Sequence, residues 1–561
     1  MRRPLARLLH GCFAVLASAS VAIAAATYYV SPGGSGPPDG SQAHPFPEIR
    51  DALAVAAAGD TILVADGSYK GFTLDGFHGT PAARLTITAQ GTGAQVLVTT
   101  DRSDNRDTIF LNDCSYITID GLRSFNANRA AVRIQGSQFI TVRNGVFGDN
   151  ATWGIFTGFS DDLLIENNEC YGSVQQHGIY VSNSAKRPVV RGNRIHHNAG
   201  CGLHMNGDLS MGGDGIISDA LVEKNVIYEN GASYGGSAIN MDGVQDSVIR
   251  DNLLVNNHAS GICVYQIDGA AGPKGDVIAN NTIVMASNGR YAVQISETAG
   301  VNTVRSNVLC NLNSNRGGLA IGSEAADTAN VDSDYNIFPF EAPYVATDDW
   351  DNRYTLAQWQ GRGLELHSFV GKRAELFVNP TTDVATADYH LLADSAAVDA
   401  GDDDAATPGE TDLDGKARVA GAHVDIGAYE RTVAGSRFYP LTPCRVVDTR
   451  SSIDPAVVKR GNFLDDEVRA YTLSTSAECP GLPSDVIAWS LNIQFRPISV
   501  AAYLIAFPDG VPQPPVSTLV AWPERWRVNN AIVPAGTNGT FDVYCQYAGR
   551  VIIDVNGYFA P

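Results

Sequence analysis

Tyr180, His204, Asn206, Asp242, Tyr265 and Asp268 can stack, hydrogen-bond or exchange protons, and they recur at one point of a repeating pattern. A positioned imidazole, phenol or carboxylate is suited to acid–base work. Aligning the pattern places these residues in two columns. The first reads Arg133, Phe156, Tyr180, His204, Asn240, Cys263 and Gln294; the second reads Gln135, Gly158, Ser182, Asn206, Asp242, Tyr265 and Ser296. Each first-column residue follows an apolar one, among them Ile155, Ile179, Leu203, Ile239, Ile262 and Val293. That alternation puts the apolar residues inside and both columns outside on stacked strands. Asp208, Asp246 and Asp268 fall in the turns just beyond. A merely solvated face would need only Thr, Ser, Lys or Glu.

Strands positioned in this way require a repeat, and one runs from about residue 109 to 322. Its first phrase is Ile165-Glu-Asn-Asn168, Val190-Arg-Gly-Asn193, Val222-Glu-Lys-Asn225, Ile249-Arg-Asp-Asn252, Ile278-Ala-Asn-Asn281 and Val304-Arg-Ser-Asn307, with Asn-to-Asn steps of 25, 32, 27, 29 and 26. A second phrase, such as Gly178-Ile-Tyr-Val181 or Gly261-Ile-Cys-Val264, falls between. Several short strands per ~25–30 residues make a solenoid, because each coil buries its apolar side only against its neighbours. The recurrent Asn is expected at a left-handed bend, its amide bonded to its equivalents above and below. Gly121 and Gly145 take the same place in the first coils. Beside this column Arg143, Glu166, Arg191, Glu223 and Arg250 alternate in sign, which reads as a stabilising stack.

The repeat resembles the right-handed parallel β-helix family of pectate-lyase-like proteins, over roughly residues 27–432. Tyr28-Tyr-Val-Ser-Pro32, the stretch Phe46–Asp60, Thr61-Ile-Leu-Val64 and Gly67-Ser-Tyr69 fit the family's first strand, capping helix and first coil. Ile49, Leu53 and Ala56 share one helix face. The implied fold class is all-β: a right-handed parallel β-helix over 27–330, an irregular C-terminal part of it over 331–436, and an antiparallel β-sandwich over 437–561. The sandwich reading rests on Tyr439–Arg450, Ala488–Ile493 and Val551–Tyr558, short alternating strands among Gly and Pro turns. No catalytic constellation stands out there; attachment or carbohydrate binding is expected, with Trp522 and Trp526 available to stack on a sugar.

The resemblance also implies a polysaccharide partner and two chemistries. In a lyase, His204 or Tyr180 would take a proton beside a uronate carboxylate, and Arg133 or Asn240 would steady that carboxylate. Ca²⁺ on Asp242, Asp246 or Asp268 would acidify the proton. Asn206, Asn240, Tyr265, Gln266, Gln294 and His177 would bind substrate, and Asp208, Asp246 and Asp268 would hold the metal. In a glycoside hydrolase, Asp242 would pair with Asp208, Asp246 or Asp268, since that reaction needs two carboxylates. A third reading is a non-catalytic glycan-binding protein. The acidic residues at Asp402, Asp403, Asp404, Asp412 and Asp414 offer either a second Ca²⁺ site or an acidic turn.

Composition sets the outer limits. The 561 residues hold 39 Lys+Arg and 60 Asp+Glu, a net charge of −21, which argues against nucleic acid and disfavours a polyanion unless a cation bridges it. An apolar share of 44% excludes a disordered chain, and 56 glycines suit turns and strands. Arg2, Arg3 and Arg7, then the apolar run Leu8–Ala26, read as a signal peptide (residues 1–26), so a secreted or periplasmic monomer without a membrane span is expected. Cys114, Cys170, Cys201, Cys263 and Cys310 include no C-x-x-C pair, which argues against metal binding, whereas Cys444 and Cys479 suit a disulfide in an exported domain.

Overall fold

A computed structural model describes residues 25–34, 36–90, 96–99, 106–322, 325–339, 343–348, 352–431, 437–451, 453, 461–477, 479–484 and 486–560. The expected signal segment falls outside them up to residue 24. No helix among the described residues is long and apolar enough to cross a membrane.

Three short strands per coil build three twelve-stranded sheets, and successive coils pair in parallel. The exception is Asn352–Tyr354, which runs antiparallel to Ala346–Asp348. Ile155, Ile179, Leu203, Ile239, Ile262 and Val293 are fully buried, so the alternation read from sequence holds. Burying such a side chain contributes about 1.5–3 kcal/mol, and each coil gains it only when the next coil covers it. At the N-terminal end the helix Ile49–Leu53 buries Ile49 and Ala52 against the core, with Leu53 and Ala56 packed at its margin.

The Asn column forms a buried hydrogen-bonded ladder. Asn225 donates from its backbone N and its Nδ2 to Asn252 Oδ1 over 3.0 and 2.9 Å, and Asn252 repeats both bonds to Asn281 over 3.1 and 2.9 Å. The left-handed residue is the one before the ladder: Asn167, Gly192, Lys224, Asp251, Asn280 and Ser306 have φ of 55–64°. This corrects the expectation that the ladder Asn itself bends the chain. The bend comes one residue early so that the amide can point inward. Gly121 occupies that left-handed place (φ 74°), whereas Gly145 holds the ladder place, where a Cβ would lie 2.4 Å from the Phe147 ring. Five residues on, Asn198, Asn230 and Asn257 form a second ladder of the same kind. The alternating charges pair as expected: Arg191 with Glu166 at 2.8 Å, Arg250 with Glu223 at 2.9 Å.

The segment after residue 396 closes against the coils. Glu410 meets Arg250 at 2.6 Å, Arg418 lies 3.6 Å from Asp251, and Thr411 bonds Lys224. Its acidic residues are engaged by protein donors: Asp402 by Arg305, Asp403 by His423, Asp412 by the backbone of Lys416 and Glu430, Asp414 by His390 and Lys416. Asp404 joins them through its backbone N–H, which donates to Asp402 Oδ1 at 3.1 Å.

The described residues up to 431 and those from 437 onward form two compact units. The second has two four-stranded antiparallel sheets. One holds Arg437–Asp448, Gly549–Ala560, Ala488–Pro497 and Arg527–Pro534; the other holds Glu467–Thr472, Thr540–Cys545, Ala502–Pro508 and Leu519–Ala521. Trp489, Phe495, Tyr471 and Phe541 fill the space between them. Cys444 and Cys479 are disulfide-bonded. Trp522 is exposed, with Arg527 over its ring, and Arg450 lies over Trp526.

Candidate functional site

The first outward column pairs in the expected register: Arg133 with Phe156, Phe156 with Tyr180, Tyr180 with His204, His204 with Asn240, Asn240 with Cys263 and Cys263 with Gln294; the second does so from Gln135 to Tyr265. Coils lie ~4.8 Å apart, so one sugar ring touches about two of them. Arg133, four coils from Asn240, is thus roughly 19 Å away. It is held over the Phe110 and Phe156 rings, 3.7 Å from Asp107, and does not share a sugar with Asn240.

Parallel stacking decides what the aromatic residues can do. Trp153 stacks on Phe156 with centroids 4.4 Å apart, Phe156 tilts against Tyr180 at 5.5 Å, and Tyr180 stacks on His204 at 4.8 Å and 12°. Of these contacts, the Tyr180–His204 pair is the one stacked face to face across two coils. The expected sugar stacking on Tyr180 is therefore corrected: its face is taken, and its hydroxyl is hydrogen-bonded to Asn206, with burial pushing its pKa up to about 12.

His204 Nδ1 lies 2.9 Å from His177 Nε2, and His177 Nδ1 accepts the backbone N–H of Cys201 at 2.9 Å. Burial holds His204 in the neutral form, its pKa lowered to about 4, and lowers His177 as well. Among the described residues, His177, Cys201 and His204 are the group of three metal-ligand types gathered within 4.8 Å of one another.

Asp242 sits on the outward column but is buried. Its Oδ1 accepts from the backbone N–H of Ile267 at 2.8 Å and Gly269 at 3.1 Å, and its Oδ2 from Asp268 at 2.9 Å. The Asp242 carboxylate, expected from sequence to do catalysis, clamps a turn in this structure. That turn meets the long loop after His204: Leu209 N donates to Asp268 O and Ala270 N to Gly215 O. Together they form one wall with exposed Leu209, Met211 and Ile267 on its rim. Asp208 caps this loop by accepting from Ser210 N and Oγ at 2.9 and 2.6 Å. Among the described residues, Asp208, Asp246 and Asp268 do not gather into a ligand set, and the Asp242 oxygens accept from backbone donors, so these residues do not fit the expected Ca²⁺ site.

A cavity of about 360 Å³ opens beside this wall, lined by Asn240, Tyr265, Gln294, Arg290, Glu297 and Ser237 among others. Asn240 Nδ2 donates to the Tyr265 hydroxyl at 2.7 Å, and burial raises the Tyr265 pKa, so the phenol stays protonated. Gln294 Oε1 accepts from Ser260 Oγ at 3.0 Å, leaving its amide NH₂ for a ligand. Gln266 is turned back onto Gly269 O at 2.9 Å. Glu297 Oε2 accepts from Ser296 Oγ at 2.9 Å and from Gln266 N at 3.4 Å, next to Tyr265 in the chain. Arg290 is exposed at the rim and has no ion-pair partner among the described residues. Sequence reasoning missed Arg290 and Glu297 because they flank the strand instead of occupying its outward columns. The signal was a cation two residues before the Ala292-Val-Gln-Ile295 phrase and a carboxylate two residues after it, within an acidic chain.

Comparison with known proteins agrees with this architecture. Residues 87–219 match the family model described as right handed beta helix region. No curated protein matches the chain. Among solved structures, the chain is similar to pectate lyase Pel9A, at 17% identity over 72% of this chain and 96% of that one, with a TM-score of 0.49. It is similar to an alginate lyase from Paenibacillus sp. str. FPU-7 at 22% identity (47% and 90% covered, TM-score 0.38). A glycoside hydrolase is similar at 10% identity (58% and 96% covered, TM-score 0.40). The first unit is a right-handed parallel β-helix, and the second holds antiparallel sheets.

Proposed function

We propose that this chain is an exported carbohydrate-active protein that cleaves a uronate-containing polysaccharide by β-elimination in the Tyr265 cavity. The observation that carries the reading is the Asn240–Tyr265 hydrogen bond in a cavity rimmed by Arg290, which has no ion-pair partner among the described residues. Such a cation in a chain of net charge −21 supports an anionic ligand at that point. The Arg290 guanidinium and the Gln294 amide would hold the sugar carboxylate.

Glu297 would take the proton beside that carboxylate, and the electron pair left behind would form the ring double bond as the bond to the 4-linked oxygen breaks. Tyr265, kept as a phenol by burial, would give its proton to the departing oxygen. Asn240, donating to the phenolate left behind, would stabilise it. Glu297 is the one carboxylate among the residues lining the cavity, and Asp242 is spent on backbone donors. A hydrolase needs two carboxylates, so this favours elimination.

The test is digestion of pectate, alginate and neutral glycans. Ultraviolet absorbance of unsaturated uronate should appear with an acidic glycan and vanish in Tyr265→Phe. New reducing ends without that absorbance would make the protein a hydrolase, and retention in a glycan gel without cleavage would make it a binding protein.

A further inference from the structure

One coil from Asn240 on the same sheet, a hydrogen-bonded chain has its direction set at one end. A backbone amide can only donate, so the Cys201 N–H 2.9 Å from His177 Nδ1 requires a lone pair on that nitrogen. The neutral His177 ring then carries its proton on Nε2, which lies 2.9 Å from His204 Nδ1. His204 Nδ1 must accept, and the His204 proton is left on Nε2. That Nε2 is buried and has no protein partner.

The same three residues resemble a soft-metal set, but their polarity is wrong for one. A metal-bound imidazole donates from its second nitrogen. Here the second nitrogen of His177 accepts a backbone N–H. Burial also pushes the Cys201 thiol up to about 12, far from the thiolate a metal needs.

The geometry points to a one-way relay, from Cys201 N–H through His177 to His204, that fixes the His204 proton on its buried Nε2. His177 is its positioning residue: it sets which His204 nitrogen bears the proton. With Nδ1 occupied by the His177 proton and Nε2 carrying its own, His204 has no free lone pair, which removes it as the base expected from sequence.

The experiment is ¹⁵N NMR of the full chain labelled at histidine, without substrate. Wild type should show a protonated, pyrrole-like Nε2 and an unprotonated Nδ1 for His204. His177→Gln should keep that pattern, since a Gln amide can accept from Cys201 N–H and donate to His204. His177→Leu should give a mixture of both tautomers. A wild-type His204 protonated at Nδ1 would overturn the relay, as would a His177→Leu spectrum identical to wild type. Added Zn²⁺ should leave both rings unshifted; a stoichiometric shift of both would make this a metal site instead. If His177→Leu fails to fold, the wild-type and His177→Gln spectra decide alone. A chain with these tautomers but no elimination activity sinks the lyase reading and leaves the relay standing.

Discussion

Asn240 and Tyr265 occupy different outward columns of adjacent coils, and the amide of one donates to the hydroxyl of the other over 2.7 Å. The bond crosses a coil boundary on the diagonal, so neither strand alone can form it. It also leaves the phenol proton free to point into the cavity. Because the amide donates, it stabilises phenolate more than phenol, and its effect grows as the proton leaves.

Replacing Tyr265 with Phe should therefore lower kcat by roughly 10²–10⁴, the usual range for a positioned acid or base, with a smaller change in KM. Steady-state rates on the cleaved glycan, beside a thermal melt, provide the measurement. An equal loss in KM alone would assign Tyr265 to binding.

Asp242→Asn should act on stability before activity. The amide retains one acceptor oxygen for three backbone donors, so about 1–3 kcal/mol should be lost in urea unfolding. Activity per folded molecule should survive within a few-fold. A variant as stable as wild type with no activity would return Asp242 to the chemistry.

The contrast between these two residues explains what could be read from sequence. Period and phrase placed Tyr180, His204, Asn240 and Tyr265 in correct columns, because a strand's alternation leaves no choice of face. The same logic put Asp242 outside, which is true of its Cα, but did not reveal that the 267–269 turn folds over it. Turns carry no period, so Arg290, Glu297 and the Asp242 clamp were invisible to it. The ladder Asn residues were legible as a column, and their bend was misplaced by one residue, a shift that only φ values expose.

Asn252→Ala should be among the costliest single changes in the solenoid. It removes the acceptor for Asn225 N and Nδ2 and the donor to Val222 O, Arg250 O and Asn281 Oδ1, all buried or nearly so. At about 1–3 kcal/mol per buried polar group left unpaired, a loss of at least ~3 kcal/mol is expected in chemical denaturation. A loss below ~1 kcal/mol would mean that water replaces the ladder.

Stability should also fall across the neutral range through Glu365. This buried carboxyl accepts from Ser333, Ser368 and Asn336, and burial raises its pKa to about 7 from 4.5. The folded state therefore holds this proton more tightly than the unfolded chain. The contribution is fully present below about pH 4.5 and is lost as pH rises through 7. Glu365→Gln cannot titrate, so its stability relative to wild type should rise between those pH values by on the order of 3 kcal/mol. A constant difference in paired denaturation curves at pH 4.5, 6 and 8 would contradict the shift.

The reversed strand Asn352–Tyr354 bears on how the chain behaves in a crowd. A stack of equivalent coils ends in open strand edges, and an open parallel edge is a template for the next coil of any copy that meets it. Turning the last described strand of the sheet that carries Asn240 around replaces that edge with one of opposite polarity. A neighbour arriving in the orientation that continues the solenoid then finds its backbone donors and acceptors out of step. In this sheet alone of the three, the last described strand does not continue the parallel ladder, so the restriction is set by backbone direction and not by any particular side chain.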